Sequence, residues 1–432
     1  MQETAARAKN AAIELAAMKS RDKDRAIEEI CRLLDENTAS VVKANRMDLE
    51  RAEKENLAAP LLKRLQFGEE KIREACRGLE SLKGLEDPVG RTMRAVELDK
   101  GLELFQVTCP IGVIGVVFES RPDALVQISS LCLKSGNSVL LKGGSEAAET
   151  NRVLAGIIAE ASLRAGIPEG WLGLLETRED VSGMLAMDEY IDLIVPRGSN
   201  AFVRYIMDNT NIPVLGHADG ICHVYVDREA DLEQALRITV DSKCQYVAVC
   251  NAAETLLVDK GIAEAFLPEA KKRLEAAGVE LRGCPRTLEL IDVAPASEED
   301  WAAEYLDLIL SVRVVDGLDE AVRHINRYGS GHTDAIVTKD RERGVWFMDH
   351  VDSADVFLNC STRFSDGFRY GLGAEVGIST NKIHARGPVG LEGLVIYKWR
   401  LFGDGHIVAD YTGENARPFT HKAIRQRGAE DR

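Results

Sequence analysis

A cysteine near the middle of the chain has the setting of a nucleophile. Cys250 closes the run DSKCQYVAVC (241–250), which lies between a helical pattern and a strand pattern. Loops at strand ends carry much of the chemistry of α/β proteins. A thiolate attacks carbon centres, and backbone amides or a nearby cation lower the pKa of the thiol. A cysteine before a strand also fills a core, and the spacing alone does not separate these two hypotheses.

Two loops rich in glycine and serine favour an anionic ligand. Lys142 ends an apolar strand pattern, and Gly-Gly-Ser at 143–145 leads from it into a helix; Gly198 and Ser199 stand in the same position in a neighbouring unit. Glycine lets a ligand approach the backbone, lysine supplies a point charge, and a helix N-terminus favours an anion. Either loop alone is equally compatible with an ordinary turn, but the pair favours one shared ligand.

Several other catalytic and metal-binding motifs are missing from the sequence. It contains no GxxxxGK[ST], HExxH or GxSxG and no spaced His/Cys cluster, so neither a serine hydrolase nor a metal site is expected. The run YGLGAEVG (370–377) is similar to the GxGxxG fingerprint. Its spacing is one residue too long and no clear strand precedes it, so it is interpreted as a glycine-rich loop.

The elements that would position these residues alternate along most of the chain. Residues 1 to about 85 repeat apolar residues three and four apart, which predicts a helical layer. From about residue 95, strand and helix patterns alternate, and a second such block starts near Leu232. This alternation predicts an α/β protein with parallel sheets. One more apolar strand follows Val395.

Composition and charge exclude several classes of function. A chain of 432 residues favours two or three domains. Its 54 Lys and Arg against 70 Asp and Glu give a net charge of −16, which disfavours nucleic acids and anionic membranes. The longest apolar run, Val113–Phe118, is far shorter than the ~20 residues of a membrane span. Nine dispersed cysteines without a CxxC pair indicate reduced thiols and predict a cytoplasmic protein.

Longer motifs, in matching order, carry a resemblance to a known family. They are CPIGVIGVVFESRPDA (109–124), VCNAAETLLV (249–258), YGSGHT (328–333), GLGAEVGIST (371–380), HARGP (384–388) and GLEGL (390–394). With them the chain resembles the γ-glutamyl phosphate reductases, or glutamate-5-semialdehyde dehydrogenases, of the aldehyde dehydrogenase superfamily. The resemblance runs from the first helices to about Tyr411. It implies an aldehyde-dehydrogenase-like fold, with two parallel-sheet α/β domains and a small oligomerisation element.

The resemblance implies an oxidoreductase of proline biosynthesis that uses NADPH to reduce L-glutamyl 5-phosphate to L-glutamate 5-semialdehyde, with release of phosphate. The family's nucleophile falls on Cys250, which would form a thioester. Ser120 falls where hydrolytic relatives place an oxyanion-hole Asn. Their water-activating Glu falls on His217, which suits a reductase because the thioester must be protected from water. His217 is a candidate proton donor, and a hydrogen-bonded structural histidine is equally compatible with that position.

The resemblance also implies the cofactor contacts. Lys142 would contact the adenosine ribose, and the neutral Ser145 would tolerate the 2′-phosphate of NADP. Gly198 and Ser199 would lie near the pyrophosphate, and Glu304 would hold the nicotinamide ribose.

Cations are expected around the glutamyl carboxylate and phosphate, and the matched motifs nominate Lys243, Arg121 and Arg363. The chain departs from the family pattern before the nucleophile. Many bacterial members have NAKTQRP there, whereas this chain has DSKCQYV (241–247). That departure puts a substrate role for Tyr246 in doubt.

The implied organisation has three parts. Residues 1–240 would form the NADP-binding domain with the helical layer, 241–385 the catalytic domain, and 386–432 the oligomerisation segment and tail. Residues of about 95–110 are candidates for the oligomerisation element. The implied partners are further copies of the chain and a glutamate kinase.

Two other interpretations stay open. One is an oxidising or CoA-acylating semialdehyde dehydrogenase on the same scaffold. The other is a catalytically silent protein that binds the kinase.

Overall fold

The computed structural model describes residues 1–176, 179–217 and 219–424. Its helices are α1 (Gln2–Leu15), α2 (Ser20–Glu36), α3 (Thr38–Lys54), α4 (Ala59–Leu65), α5 (Glu69–Lys83), α6 (Pro122–Lys134), α7 (Ala148–Arg164), α8 (Glu179–Leu185), α9 (Asn200–Asp208), α10 (Leu232–Cys244), α11 (Lys260–Ala276), α12 (Pro285–Leu288), α13 (Leu318–Tyr328) and α14 (Arg341–His350).

The strands are β1 (Thr92–Asp99), β2 (Leu102–Pro110), β3 (Val113–Phe118), β4 (Ser138–Gly143), β5 (Leu172–Leu175), β6 (Leu193–Arg197), β7 (Cys222–Val226), β8 (Ala253–Asp259), β9 (Glu280–Gly283), β10 (Ala294–Pro295), β11 (Ile309–Val315), β12 (Thr333–Val337), β13 (Asp355–Leu358), β14 (Gly377–Ser379), β15 (Gly387–Val389), β16 (Val395–Phe402) and β17 (Lys422–Ala423).

The first parallel sheet has the order β5-β4-β3-β6. Every residue of β3 and β4 is buried, as expected for parallel strands covered by helices on both faces. Parallel strands end at one edge of the sheet, so the residues after β3, β4 and β6 meet there. This edge therefore brings Ser120, Lys142 and Gly198 to the same side of the molecule.

The helical layer predicted for the first 85 residues is present as α1 to α5. Helices α2 and α3 pack on α7. The buried Asp48 carboxylate of α3 accepts hydrogen bonds from the Thr150 backbone N–H at 2.8 Å and its hydroxyl at 2.7 Å. Because Thr150 lies in the first turn of α7, this contact fixes the start of that helix and the loop before it.

The second parallel sheet has the order β10-β9-β11-β8-β7-β12-β13. The predicted α/β class with two parallel sheets is thus confirmed. Strand β7 lies in the stretch 1–240 but pairs with β8 and β12 of this second sheet. The division at residue 240 stays a prediction.

An antiparallel sheet in the order β16-β2-β1-β17 joins the hairpin after the helical layer to the C-terminal segment of the chain. It connects the 95–110 region with the segment 386–432, whose residues 425–432 lie outside the described residues. Alternating residues of β16 leave Tyr397, Trp399 and Leu401 exposed on one face.

Within the described ranges, no helix has both the length and the apolar character needed to cross a membrane.

Candidate active site

Cys250 lies on a tight turn that leads from α10 into β8. Its carbonyl oxygen accepts a hydrogen bond from the buried Cys222 thiol at 3.2 Å. The loop at Gly220 packs directly against the same turn. A Cβ added to Gly220 would lie 2.2 Å from the Cys250 carbonyl oxygen. A side chain at position 220 would therefore displace the turn that carries the thiol.

Two histidines flank the thiol. The Cys250 Sγ and one ring nitrogen each of His217 and His332 all lie within 4.8 Å of one another. His217 Nδ1 donates to the Ile378 carbonyl at 3.0 Å, which leaves the lone pair on its Nε2. Burial lowers the pKa of both histidines, so both imidazoles are neutral around pH 7.

The charges around the thiol oppose each other. Burial raises the pKa of Cys250 to about 12, and the Glu304 and Glu375 carboxylates also raise it, while Arg197 lowers it. The pKa of Arg197 is itself lowered, first by burial and then by Arg121. The thiol is therefore protonated at neutral pH and needs a base before it can attack.

Glu304 connects the thiol region to the first sheet. Its carboxylate accepts hydrogen bonds from the Asn200 side-chain amide and from the Gly220 backbone N–H. Asn200 begins α9 directly after the Gly198-Ser199 loop. Burial raises the pKa of Glu304. This carboxylate thus joins the second ligand loop to the loop that packs against Cys250.

The first ligand loop is held by the helical layer. Lys142 is buried, and its Nζ donates to the Gly143 carbonyl at 2.5 Å. Arg51 of α3 donates to the Ser145 carbonyl at 2.9 Å and to the Glu146 carbonyl at 3.4 Å. A cation from the helical layer therefore lies beside Ser145, the residue that the family resemblance implies would tolerate a 2′-phosphate.

Ser120 lies two residues after the end of β3 in a left-handed conformation, with φ of 46°. Its backbone N–H and its hydroxyl donate to the Glu146 carboxylate at 2.5 and 2.8 Å. In this arrangement the hydroxyl proton is committed to Glu146. The oxyanion role of Ser120 stays a prediction.

The nominated substrate cations lie in different settings. Lys243 is fully buried, and its Nζ donates to the Glu254 carboxylate at 2.5 Å, so its charge is already paired. The Arg363 Nε donates to the Gln245 side chain at 3.0 Å. Burial lowers the pKa of the Arg363 guanidinium, whereas the nearby Cys250 raises it. Arg363 therefore lies within electrostatic range of the thiol, Arg121 acts on Arg197, and Lys243 lies in an internal ion pair.

Three residues at the site had no assigned role from the sequence. His332 and Glu375 stand inside motifs quoted above, but a motif does not show which of its side chains turn inward. Arg197 is the last residue of β6, directly before the Gly198 loop, and that position is the signal that could have identified it.

Comparisons with known proteins agree with this architecture. A model of the aldehyde dehydrogenase family matches residues 1–282. The γ-glutamyl phosphate reductase of Pelotomaculum thermopropionicum is 66% identical, over 98% of each chain, and that of Acetivibrio thermocellus is 63% identical, again over 98% of each. The crystal structure of γ-glutamyl phosphate reductase from Thermotoga maritima superposes with a TM-score of 0.92 at 40% identity, covering 94% of this chain and 99% of the other.

The fold and the thiol site define an oxidoreductase of the aldehyde dehydrogenase type. The chain belongs to the aldehyde dehydrogenase family and, within it, to the γ-glutamyl phosphate reductases. The resemblance inferred from the motifs is confirmed.

The contact between Gly220 and the Cys250 turn makes a testable prediction. Gly220→Ala displaces the turn, and we expect kcat/KM to fall by about 10²-fold, as small misplacements of a reacting group do. Gly156→Ala is the matched control: it lies inside α7 with open space around the new Cβ, so it keeps activity and stabilises the helix by about 0.5–1 kcal/mol. Thermal melts and steady-state kinetics measure both. Wild-type activity in Gly220→Ala would show that the turn yields to the extra methyl group.

Proposed function

We propose that the protein reduces L-glutamyl 5-phosphate to L-glutamate 5-semialdehyde with NADPH, releasing phosphate, in proline biosynthesis. Relatives named γ-glutamyl phosphate reductase that match 98% of the chain support the reaction. The observation that carries the proposal is a half-buried Cys250 thiol beside two neutral imidazoles. One of these, His217, stands where hydrolytic relatives hold the carboxylate that activates water.

The residues present fit a phosphorylated dinucleotide. The carboxyl edge of a parallel sheet is where such ligands bind. Arg51, which also pairs with the buried Asp48 carboxylate, places a guanidinium beside the neutral Ser145, and Ser120 orients the Glu146 carboxylate with two hydrogen bonds. The residues that would hold the riboses and pyrophosphate are Lys142, Gly198, Ser199 and Glu304.

A thiol route divides the reduction into easier steps. The Cys250 Sγ attacks the acyl carbon, the bond from that carbon to the phosphate oxygen breaks, and a thioester forms. When bound, NADPH supplies the hydride that the thioester carbon accepts. The thiohemiacetal on Cys250 then releases the aldehyde, and the sulfur regains its proton.

His217 is the proposed proton acceptor for the thiol. Because burial raises the pKa of Cys250 to about 12, attack at neutral pH requires a base. The Nδ1–H of His217 is committed to the Ile378 carbonyl, so the Nε2 lone pair is available. Burial lowers the pKa of His217, which keeps that lone pair unprotonated at neutral pH.

The assay that tests the proposal runs the reaction in reverse, because the acyl phosphate is labile. The protein is mixed with glutamate semialdehyde, phosphate and NADP, and the absorbance of the reduced nicotinamide is followed. We expect phosphate-dependent reduction, faster with NADP than with NAD. Cys250→Ala abolishes NADP reduction because the thioester cannot form. Cys109 is a half-buried thiol on β2, and we expect Cys109→Ser to keep the activity.

The other outcomes of this assay identify the alternatives. Turnover without phosphate indicates a hydrolytic dehydrogenase, and turnover that needs CoA indicates an acylating one. Full activity in Cys250→Ala contradicts the thioester route. Absence of turnover with any acceptor favours a silent binding protein.

We also propose that a second copy of the chain covers the exposed face of β16. Tyr397, Trp399 and Leu401 project from one face of an edge strand and are about half exposed. A row of apolar side chains on an unpaired strand edge is a template for association. The antiparallel sheet therefore supports the predicted homo-oligomer.

Sedimentation velocity tests this interface. Leu401→Asp puts a charge into the apolar row, and we expect the mass to fall to that of one protomer. Lys398→Gln, on the other face of the same strand, keeps the wild-type mass. A monomeric wild type, or a Leu401→Asp variant that keeps the oligomer, contradicts the proposal.

A cytoplasmic location is proposed from the cysteines. All nine lie in the described part of the chain and are free thiols, which suits a reducing compartment. The kinase partner stays a prediction.

A further inference from the structure

Three soft or borderline donors converge at the thiol from distant parts of the chain. His217 precedes β7, Cys250 precedes β8, and His332 precedes β12. These strands are neighbours in the second sheet, so their amino-terminal ends lie side by side. The three donor atoms lie within 4.8 Å of one another. Sequence spacing gives no sign of this cluster, because 33 residues or more separate its members.

His332 has a nitrogen that the surrounding structure leaves unused. Its side chain is fully buried, and its Nε2 has no hydrogen-bond partner among the described residues. Its Nδ1 lies 2.8 Å from the Thr333 hydroxyl, which can accept the Nδ1–H and leave a lone pair on Nε2. An unpaired buried nitrogen is costly, and a ligand at this point would satisfy it.

The donor set matches the preferences of zinc. Zn²⁺ takes imidazole nitrogen and thiolate sulfur in tetrahedral sites, with bonds of about 2.0–2.3 Å that place the donors about 3.4–3.6 Å apart. The donor atoms of the present cluster lie within 4.8 Å of one another, so binding would draw each pair together by at most about 1.4 Å. The Ile378 carbonyl and the Thr333 hydroxyl hold the second nitrogen of each ring, as supporting partners do in zinc sites.

The surrounding charges include both signs. Glu304 and Glu375 act on the thiol as anions and would stabilise a bound cation, while Arg197 opposes it. We propose that Cys250, His217 and His332 form a site for Zn²⁺ that reversibly blocks the thiol. On binding, the sulfur exchanges its proton for the metal, so one proton is released and no electrons are transferred. The fourth position remains for water.

The consequence for activity rests on the proposed role of Cys250, whereas metal binding does not. Cobalt(II) is therefore the probe, since its spectrum reports the ligands directly. Reduced, chelator-treated protein is titrated with Co²⁺. We expect one equivalent to give a thiolate-to-cobalt charge-transfer band and the intense visible bands of a tetrahedral ion. Zn²⁺ then removes both signals by displacement, and a chelator restores the starting spectrum.

Variants assign the ligands. Cys250→Ala loses the charge-transfer band. His332→Asn and, separately, His217→Gln weaken Co²⁺ binding by more than the roughly 10–100-fold that loss of a supporting partner costs. Cys109→Ser and His350→Gln, remote from the cluster, keep the wild-type spectrum. Circular dichroism checks that each variant is folded. If one histidine variant misfolds, the other still tests the histidine ligands.

Several results would overturn the site. One is an octahedral, weakly coloured Co²⁺ spectrum without charge transfer, which indicates binding to surface carboxylates. Another is a charge-transfer band that survives Cys250→Ala. The outcome is separable from the reductase proposal: a protein active through Cys250 that binds no Co²⁺ there refutes only the zinc site, and a Co²⁺–thiolate spectrum in a protein without reductase activity refutes only the function.

Discussion

Desolvation of the half-buried Cys250 thiol is the constraint on which the rest of the site depends. Removing the thiol from water raises its pKa to about 12, so it is unreactive until a neighbour takes its proton. The same burial keeps His217 neutral, which allows it to act as a base.

Two parallel sheets together produce that environment. The first brings its carboxyl edge, with the Gly198 loop and Asn200, toward the thiol. The second supplies Cys250 on the turn before β8. Glu304 joins the two through hydrogen bonds to Asn200 and Gly220. The absence of a side chain at Gly220 lets these segments meet at the thiol, and a methyl group there would collide with its turn.

Much of the fold could be predicted from the chain itself. Alternating strand and helix patterns gave the α/β class, and Val113–Phe118 was predicted with the bounds that β3 has. The shortest strands were not predicted, because two or three residues, as in β10 or β14, are too few to show a strand pattern. The strand after Val395 was predicted, but its antiparallel pairing with β2 was not.

The site was predictable in part. Cys250 and the two glycine-serine loops were nominated from their positions at strand ends and from the family resemblance, and their roles stay predictions. The partners of Lys243 and Ser120 do not, because the buried Glu254 and the Glu146 carboxylate reach them only in the folded chain. His332 illustrates the same limit: its proximity to Cys250 arises from adjacent strands, and local sequence carries no record of strand order.

The measurement that tests the central claim most directly is mass spectrometry of the acyl enzyme. The protein is incubated with glutamate semialdehyde and NADP without phosphate, quenched in acid and digested. The account predicts one glutamyl group on the peptide that contains Cys250, and its removal when phosphate is added before the quench. A glutamyl group on another cysteine, or turnover without any acyl enzyme, would contradict it.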